Sequence, residues 1–362
     1  MKNKIYVLWL FCFTHFGYGQ EYVYPVATLD DETIFIMHQK SSDCLELWSW
    51  NIKTQLAFKE LSSLYIPAQV TLLPSKKAYS FLDRGSLRIK SFEKRSPKTI
   101  EINEPIQDLQ TITWIDDQTF YCTARYKKMY KPFMYDIDQS HSLQALAPMN
   151  DSVHYLFPNK INDQLFCITL DQDQKYQLVQ LSWNPQPLLQ QNSENQPKVL
   201  ATLSEINPSC FLHMVSATQG FLLTMQKAEL YSFSCCEITI ENDAATLRTL
   251  FTFSIPGHLI LGNGSQRLYE SLYPFLPRYT QDYIYFTHYN EHTRCFVYQY
   301  NRHDQTTQPI PLQDPLLREN QQVFSPLVHP QGVLVGYSCE SSDYTFYDPI
   351  AAIHYQLPWA TV

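Results

Sequence analysis

Short runs of alternating apolar and polar residues follow one another along nearly the whole chain. Each run is rich in aromatic and β-branched residues, which half-buried strands favour. Outside the N-terminus, no window keeps the i, i+3, i+4, i+7 spacing of an amphipathic helix for three turns. The pattern therefore predicts an all-β protein.

An aromatic residue followed at once by Asn or Asp closes many of these runs and marks a repeat. The pairs are Trp50-Asn51, Tyr135-Asp136, Trp183-Asn184, Tyr300-Asn301 and Tyr347-Asp348. A short polar turn precedes each unit's second strand, at Asp30-Asp31, Pro74-Ser75, Asp116-Asp117, Asn162-Asp163, Thr218-Gln219, Thr280-Gln281 and Pro330-Gln331. A repeat of roughly fifty residues built from strands and turns is typical of a ring of sheets, because one four-stranded sheet cannot bury both of its faces alone.

Each unit is expected to contain an inner strand before the turn and a second strand after it, then a hairpin and a third strand. The predicted second strands are Thr33–Met37, Ala78–Phe81, Thr119–Ala124, Leu165–Leu170, Phe221–Met225, Tyr283–Tyr289 and Val333–Ser338. The predicted inner strands include Tyr22–Thr28, Gln69–Leu73, Thr111–Ile115, His154–Pro158, Phe211–Val215, Leu272–Phe275 and Phe324–Val328.

The units predict one domain over residues 20–362, a β-propeller of seven four-stranded blades. Tyr22–Thr28 would open the first blade and Ala351–Gln356 would end the last, so no strand need be borrowed to close the ring. A circularly permuted ring or a six-bladed ring stays open because the second unit is weakly marked. Four aromatic residues of the repeat are expected to be buried between adjacent sheets: Trp50, Tyr135, Trp183 and Tyr300.

The repeats resemble those of TolB-like and WD40-like β-propellers, in which a blade often reads Ser-Pro-Asp-Gly before an apolar strand. Phe324-Ser325-Pro326 with His329-Pro330-Gln331-Gly332 comes nearest, although no unit carries the full motif. The Trp-Asp and Gly-His marks of true WD40 repeats are absent. The resemblance spans most of residues 22–358 and implies a propeller that offers its rim or channel mouth to a protein partner.

The first 19 residues read as a secretory signal peptide. Lys2 and Lys4 precede an apolar stretch from Ile5 to Phe16, and Gly17-Tyr18-Gly19 supplies small residues before a cut at Gln20. We therefore expect an exported protein, periplasmic or extracellular, with a retained anchor as the alternative. No later segment is apolar for eighteen residues, so no transmembrane segment is expected after cleavage.

Composition narrows the classes of partner. The chain is 44% hydrophobic and carries a formal net charge of −8, which favours a large folded core and repels phosphate backbones. Nucleic acid is therefore not expected as a partner. Free, buried thiols are expected at Cys122 and Cys167, and the vicinal pair Cys235-Cys236 is not expected to bond to itself.

Three strings imitate catalytic or metal motifs without their structural context. His288-Tyr289-Asn290-Glu291-His292 lies at a predicted hairpin, whereas a zinc peptidase needs both imidazoles on one helix. Gly336-Tyr337-Ser338 continues into a strand, and the string from Asp171 to Lys175 fits a hairpin tip better than a calcium loop. We predict no catalytic residue, no metal ligand and no cofactor.

Two classes of function remain. The favoured one is a non-enzymatic, exported scaffold that binds protein partners, with Leu259, Ile260 and Leu261 in the connector Ser254–Tyr269 as candidate partner-binding residues. The alternative is a small-molecule or glycan site at the central channel, catalytic or not, which Tyr and Trp side chains would line.

Overall fold

A computed structural model of the chain describes residues 20–41, 44–51, 53–54, 56–63, 68–83, 86–92, 98–100, 106–138, 142–149, 151–173, 175–187, 196–203, 211–227, 230–256, 275–290, 294–310, 323–329 and 332–340. These residues form 28 β-strands and no α-helix, which confirms the all-β prediction. Within the same ranges, no helix has the length and apolar character needed to cross a membrane.

The first three blades are built from short antiparallel strands. Blade 1 contains β1 (Gln20–Thr28), β2 (Thr33–Ser41), β3 (Cys44–Asn51) and β4 (Leu56–Ser63). Blade 2 contains β5 (Ala68–Leu72), β6 (Ala78–Asp83), β7 (Ser86–Ser91) and β8 (Lys98–Thr99). A short strand, β9 (Ile106–Gln107), precedes blade 3, which contains β10 (Ile112–Trp114), β11 (Thr119–Tyr126), β12 (Met129–Asp136) and β13 (Ser142–Ala145).

The next three blades repeat this order. Blade 4 contains β14 (Val153–Ile161), β15 (Gln164–Asp171), β16 (Tyr176–Ser182) and β18 (Lys198–Thr202). The two-residue strand β17 (Gln186–Pro187) lies between β16 and β18 in the chain but pairs with β13 of blade 3. Blade 5 contains β19 (Phe211–Met214), β20 (Gln219–Lys227), β21 (Leu230–Glu241) and β22 (Ala244–Pro256). Blade 6 contains β23 (Arg278–Tyr279), β24 (Tyr283–Asn290), β25 (Arg294–Asn301) and β26 (Thr307–Pro309), and the last described strands are β27 (Val323–His329) and β28 (Gly332–Glu340).

The described residues form six four-stranded blades, and the prediction of seven is wrong. The second unit, which was weakly marked in the sequence, forms a complete blade, whereas the seventh unit does not form a separate sheet. Its hairpin, β27 and β28, joins the first sheet because Gln20–Val23 of β1 pairs with residues 337–340 of β28. Ala351–Gln356, the expected outer strand of the last blade, lies outside the described residues.

Strand β1 also corrects the expectation that no strand would be shared at closure. Tyr22 and Val23 pair with β2 on one edge and with β28 on the other. The inner strand of blade 6 differs from prediction too. It is Arg278–Tyr279, and of the predicted Leu272–Phe275 only Phe275 is described, outside any strand.

Contacts between neighbouring blades combine aromatic packing with single polar links. Phe35 meets Tyr79 across blades 1 and 2 at 4.6 Å between ring centroids, and Phe251 stacks on Phe286 across blades 5 and 6 at 4.2 Å. Buried Trp114 donates from Nε1 to Ser80 Oγ at 2.7 Å, which links blades 2 and 3. Such contacts bury the faces that a single sheet would leave exposed.

The repeat aromatics follow the expectation with one exception. Trp50, Tyr135 and Tyr300 are buried, as predicted. Trp183 is only partly buried: its ring meets Tyr121 of blade 3 edge-on. Cys122, Cys167, Cys235 and Cys236 are free and buried, and burial raises the pKa of the Cys122, Cys167 and Cys235 thiols.

Candidate functional site

The alternating strand directions divide the connections of each blade between two faces. Turns between the inner and second strands, and hairpins between the third and outer strands, lie on one face, here called the turn face. Hairpins between the second and third strands lie on the opposite face with the connections to the next blade, here called the connector face.

Short polar side chains order the turn face. Asp30 Oδ1 accepts from the backbone N–H groups of Glu32 and Thr33, and Asp116 Oδ1 accepts from those of Gln118 and Thr119. These side-chain turns explain why Asp recurs at the start of a unit. The same backbone hydrogen bonds lower the pKa of Asp116, against a smaller opposing effect of burial.

The Asn or Asp of the repeated dipeptides orders the second kind of turn. Asn51 Oδ1 accepts from the backbone N–H groups of Lys53 and Thr54 at 3.1 and 2.8 Å. Asp136 Oδ1 and Asn301 Oδ1 each accept from the N–H two residues further on. The aromatic residue of the pair fills the core while its neighbour caps the hairpin to the outer strand, which accounts for the repeat seen in the sequence.

Large apolar side chains are exposed on the turn face. Within the described residues, the exposed large hydrophobic residues are Leu56, Phe58, Phe92, Ile115, Val199 and Val215. All six lie at the turn-face ends of strands or in the turns themselves, and together they span five consecutive blades. Singly exposed apolar residues are ordinary on protein surfaces, but these six share one face of the propeller.

Turn geometry does not force this exposure. The backbone N–H groups of Ile115 and Val215 each donate to the carbonyl four residues further on, and that of Leu29 does the same in blade 1. Leu29 is buried, whereas Ile115 and Val215 are exposed. The same position of the turn is therefore buried in blade 1 and exposed in blades 3 and 5.

Blade 1 presents two rows of side chains towards blade 2. Residues directly opposite in an antiparallel pair share one face of the sheet, so Phe35, Ser49 and Phe58 form one row across β2, β3 and β4. Thr33 and Leu56 flank Asn51 in the next row. Phe58 is 61% exposed and Leu56 is 56% exposed, so the outer ends of both rows are uncovered.

Blade 2 supplies the opposite wall, with Phe92 at the end of β7. The Phe92 ring packs 5.6 Å from Tyr79 and stacks on Phe35 at 6.4 Å, yet it remains 40% exposed. A cavity of about 250 Å³ lies between the walls. Its lining residues are Leu29, Asp30, Thr33, Ser49, Leu72, Lys76 and Phe92. We call this cavity, with the exposed side chains of Leu56 and Phe58, the blade 1–2 groove.

A buried ion pair joins the two blades next to the groove. Lys90 Nζ of blade 2 lies 2.6 Å from Glu60 Oε2 of blade 1, and Ser49 Oγ donates to Glu60 Oε1 at 2.7 Å. Burial, reinforced by the Glu60 charge, raises the pKa of the Tyr79 hydroxyl. Glu60 and Lys90 fix the spacing of the two walls, since both charges have lost most of their water and satisfy each other.

The rim of the groove on the turn face carries charges of both signs, since Asp30 and Lys76 both line the cavity. Lys76 and Lys77 are exposed in the turn of blade 2, and Phe92 N–H donates to Lys77 O. The described residues place no carboxylate within ion-pairing distance of either ammonium group. Exposed Lys53 pairs with Glu32 at 3.3 Å, a weak contact in water.

The connector face carries buried polar groups that hold blades together. His288 Nδ1 of blade 6 accepts from Ser254 N–H of blade 5 at 3.0 Å, and burial lowers the pKa of this imidazole. In blade 1, Glu46 accepts from Trp48 Nε1 and lies 2.7 Å from Lys59 Nζ. Among the described residues, no group of three His, Cys, Asp or Glu could hold a metal ion.

The candidate partner-binding residues Leu259, Ile260 and Leu261 lie outside the described residues. The exposed side chains of Phe58 and Phe92 were not predicted as a site. An alternating strand pattern indicates which side chains face a neighbouring blade, but not whether that blade reaches far enough to cover them.

No protein-family model matches this chain, and a comparison of its sequence with curated proteins finds no match. Solved structures do resemble it. A puromycin-hydrolyzing peptidase of Mycobacterium tuberculosis matches with a TM-score of 0.55 and 7% identity, over 87% of this chain and 50% of that one. A hypothetical selenium-binding protein of Sulfolobus tokodaii matches with a TM-score of 0.51 and 12% identity, over 88% of this chain and 82% of that one.

TolB from Acinetobacter baumannii also matches, with a TM-score of 0.46 and 8% identity, over 82% of this chain and 64% of that one. The chain therefore spans only half of the peptidase's length and less than two thirds of TolB's. Likeness at such low identity shows the fold and not the activity. The β-propeller fold that the predicted resemblance implied is confirmed by the sheets of the described residues.

Proposed function

We propose that this protein is an exported propeller that acts as a protein-interaction scaffold and catalyses no reaction. The observation that carries the proposal is the confinement of the exposed large apolar residues, in the part of the chain that the structure describes, to the turn face of blades 1 to 5. Exposed apolar area rimmed by polar residues marks surfaces that bind other proteins.

Site-specific photo-crosslinking in cells that produce the protein tests this proposal. A photoreactive amino acid is placed at Phe58, Ile115 or Val215 on the turn face, and at Lys128 or Asp173 on the connector face as matched exposed controls. We expect discrete cross-linked protein bands from the turn face and none from the controls. Equal labelling of both faces, or none from either, would contradict the proposal.

Export is part of the same proposal. It rests on the charge, length and small residues of positions 1–19. N-terminal sequencing of the protein recovered from the exported fraction should find a chain that begins at or near Gln20. Retention of Met1 would remove this part of the proposal without affecting the interaction surface.

The connector Ser254–Tyr269 stays a second, separate prediction of a partner-binding segment. Changing Leu259, Ile260 and Leu261 together to Ser should reduce the recovery of partners in a pull-down from the native envelope. If the folded variant and the wild type recover the same proteins in the same amounts, the connector is structural.

The alternative predicted from the sequence, a small-molecule or glycan site at the channel, rests on the abundance of Tyr and Trp. Many aromatic side chains of the described residues instead pack between blades, as Tyr79 and Phe251 do. Screening glycans by thermal unfolding would test this alternative, since a ligand that binds only the native state raises Tm.

A further inference from the structure

We propose that two joints between neighbouring blades, the joint of blades 3 and 4 and the joint of blades 5 and 6, loosen in acid when His154 and His288 take up a proton. This inference goes beyond the proposed function, because it concerns how the blades are held together and not what the turn face binds. Three observations support it: the same hydrogen bond at both joints, the charges beside each imidazole, and polar links of another kind at two other joints.

Each imidazole satisfies a backbone N–H group for which the preceding blade has no strand partner. His154 of β14 accepts at Nδ1 from Tyr130 N–H of β12 at 3.1 Å. Strand β13 pairs with β12 only from Phe133 onwards, so Tyr130 lies beyond that pairing. His288 of β24 accepts at Nδ1 from Ser254 N–H at 3.0 Å, and Ser254 lies on β22, the outer strand of blade 5. Both bonds lie at the connector-face ends of their strands.

Protonation converts both of these acceptors into donors. A neutral imidazole accepts at Nδ1 only while its proton is on Nε2, and the imidazolium ion carries a proton on each nitrogen. Once His154 or His288 is protonated, its Nδ1–H therefore faces a backbone N–H group that has lost its acceptor. Both the new charge and the unpaired N–H group are unfavourable in a site with little water. Separation of the blades relieves both, because it readmits water.

Lys131 adds to this effect at the joint of blades 3 and 4. Its Nζ donates across the same joint to a backbone carbonyl of β14 at 2.6 Å, and burial and the Lys131 charge both lower the pKa of His154. The carboxylates of the adjoining elements have other partners. Asp151 pairs with Lys127 at 2.9 Å, and Asp171 of β15 accepts a backbone N–H of its own hairpin at 2.8 Å. A proton on His154 thus places a second positive charge beside Lys131.

The neighbours of His288 at the joint of blades 5 and 6 are uncharged. Its ring meets the Tyr298 ring of β25 edge-on at 5.3 Å between centroids, and burial lowers its pKa. Strand β24 contains no Asp, Glu, Lys or Arg, and Arg248, towards the start of β22, is the one such residue of that strand. Arg294 of β25 lies opposite the last residue of β24, and β27 contributes only His329 as an ionisable residue.

Two other joints have polar links that keep their form over the same pH range. Between blades 4 and 5, Asn159 of β14 donates from Nδ2 to Leu212 O at 3.0 Å and accepts at Oδ1 from Met214 N–H at 3.2 Å. Between blades 2 and 3, Trp114 Nε1 donates to Ser80 Oγ at 2.7 Å. Amide, indole and hydroxyl groups do not titrate near pH 6. Acid should therefore act selectively on the two joints that an imidazole holds.

Four native cysteines report on four different joints. All four are free and buried. Cys167 packs in an apolar cluster with residues of blade 3, and Cys235 lies beside Tyr279 of blade 6. Cys122 packs with residues of blade 2, and Cys236 packs with residues of blade 4. Cys167 and Cys235 therefore lie at the two joints expected to respond to acid, and the other two cysteines lie at joints expected not to respond.

Timed labelling at pH 7 and pH 5 with dithiodipyridine, a disulfide that reacts with thiols in acid, tests the inference. Each accessible thiol forms a mixed disulfide and releases one thiopyridone, and peptide mapping by mass spectrometry identifies the cysteine. We expect labelling of Cys167 and Cys235, relative to Cys122 in the same molecule, to rise about fivefold or more at pH 5. The reason is that the open joint binds a proton at a higher pH than the closed joint does.

His154→Asn and His288→Asn are the decisive variants. The Oδ1 atom of Asn can accept the same N–H at either pH, as an asparagine does between blades 4 and 5. His154→Asn should abolish the response of Cys167 alone, and His288→Asn should abolish that of Cys235 alone. His303→Asn, at an exposed histidine of the turn face, is the matched control and should leave both responses unchanged.

Three results would overturn the inference: no rise at Cys167 and Cys235, an equal rise at all four cysteines, which would mean unfolding as a whole, or a rise that survives in the asparagine variants. A response at one joint only would overturn the inference for the other joint. If a variant does not fold, hydrogen exchange of the wild-type Tyr130 and Ser254 amides decides, since constant protection between pH 7 and pH 5 would also contradict it. Cross-linking on the turn face tests the proposed function separately.

Discussion

Lys131 is an ionisable residue in a buried environment, which disfavours its charged form. It is 1% exposed, its Nζ donates to Val153 O at 2.6 Å, and its ammonium lies 4.8 Å from the centroid of the Tyr155 ring. Burial lowers the pKa of Lys131 to about 8, although the Asp151 carboxylate acts in the opposite direction. His154 lies beside it, and both burial and the Lys131 charge lower the pKa of that imidazole.

We predict that this lysine makes the protein more stable as the pH rises from 8 to about 10. In that window the unfolded chain holds the Lys131 proton more tightly than the native chain, so unfolding takes up a proton and a higher pH disfavours it. The folded pKa of about 8 against an unfolded value near 10.4 makes the full effect on the order of 3 kcal/mol.

Lys131→Met should remove that slope. Urea unfolding at pH 7, 8, 9 and 10 measures it as the difference between variant and wild type, which cancels the contribution of the tyrosines and cysteines that titrate in the unfolded chain over the same range. Parallel curves for the two proteins would show that Lys131 keeps its charge in the native state.

At the scale of the element, the sequence predicted the features that depend on residues close together in the chain, such as the positions of the strands. Alternation located the second strands, and Trp50 is buried as predicted. The turn cap that Asn51 provides was not predicted. Trp183 carries the same dipeptide but is only partly buried. Its exposure depends on how closely blade 3 approaches, and no property of the residues around Trp183 encodes that distance.

The difference between these tryptophans is measurable as free energy of unfolding. Trp50→Ala should cost about 3–5 kcal/mol, because a buried indole leaves both lost contacts and a cavity. Trp183→Ala makes the same chemical change at a ring that is only partly buried, although it packs against a buried cluster that includes Tyr121 and Leu181. We expect about half the cost or less there. Equal losses in denaturant unfolding would show that Trp183 is as well packed as Trp50.

At the scale of the whole molecule, the sequence predicted the repeat but not the number of blades. The turn Pro330-Gln331 is followed by a genuine strand, β28, so the seventh unit is locally correct. The sheet that β28 joins is decided by its pairing with β1, the first described strand. The blade 1–2 groove escaped prediction for the same reason, since its walls come from β4 and from Phe92, whose separation is a tertiary property.

The pairing of the first and last described strands predicts a new cross-link. Glu21 lies directly opposite Cys339 in the β1–β28 register, and cross-strand partners have Cα separations within the range that a disulfide spans. Glu21→Cys should therefore form a disulfide with Cys339 under oxidising conditions. It should stabilise the fold by about 2–5 kcal/mol relative to the reduced form, chiefly by restricting the unfolded chain.

Peptide mapping by mass spectrometry identifies the bond, and Tm with and without reductant measures its effect. Glu21→Ser controls for the loss of the carboxylate. A variant in which position 21 stays reduced, or bonds to another cysteine, would show that the register is different.

The pairing of β1 with two strands also affects the order in which the strands can pair during folding. Among the described strands, β1 leaves the ribosome and any export channel first, yet one of its two partner strands, β28, is the last of them to be made. Contacts between residues so distant in sequence form slowly, and an edge that waits for its partner is prone to pair with another chain. We therefore expect the nascent protein to need a holding chaperone until β28 arrives, and misfolded material to consist of molecules joined through β1.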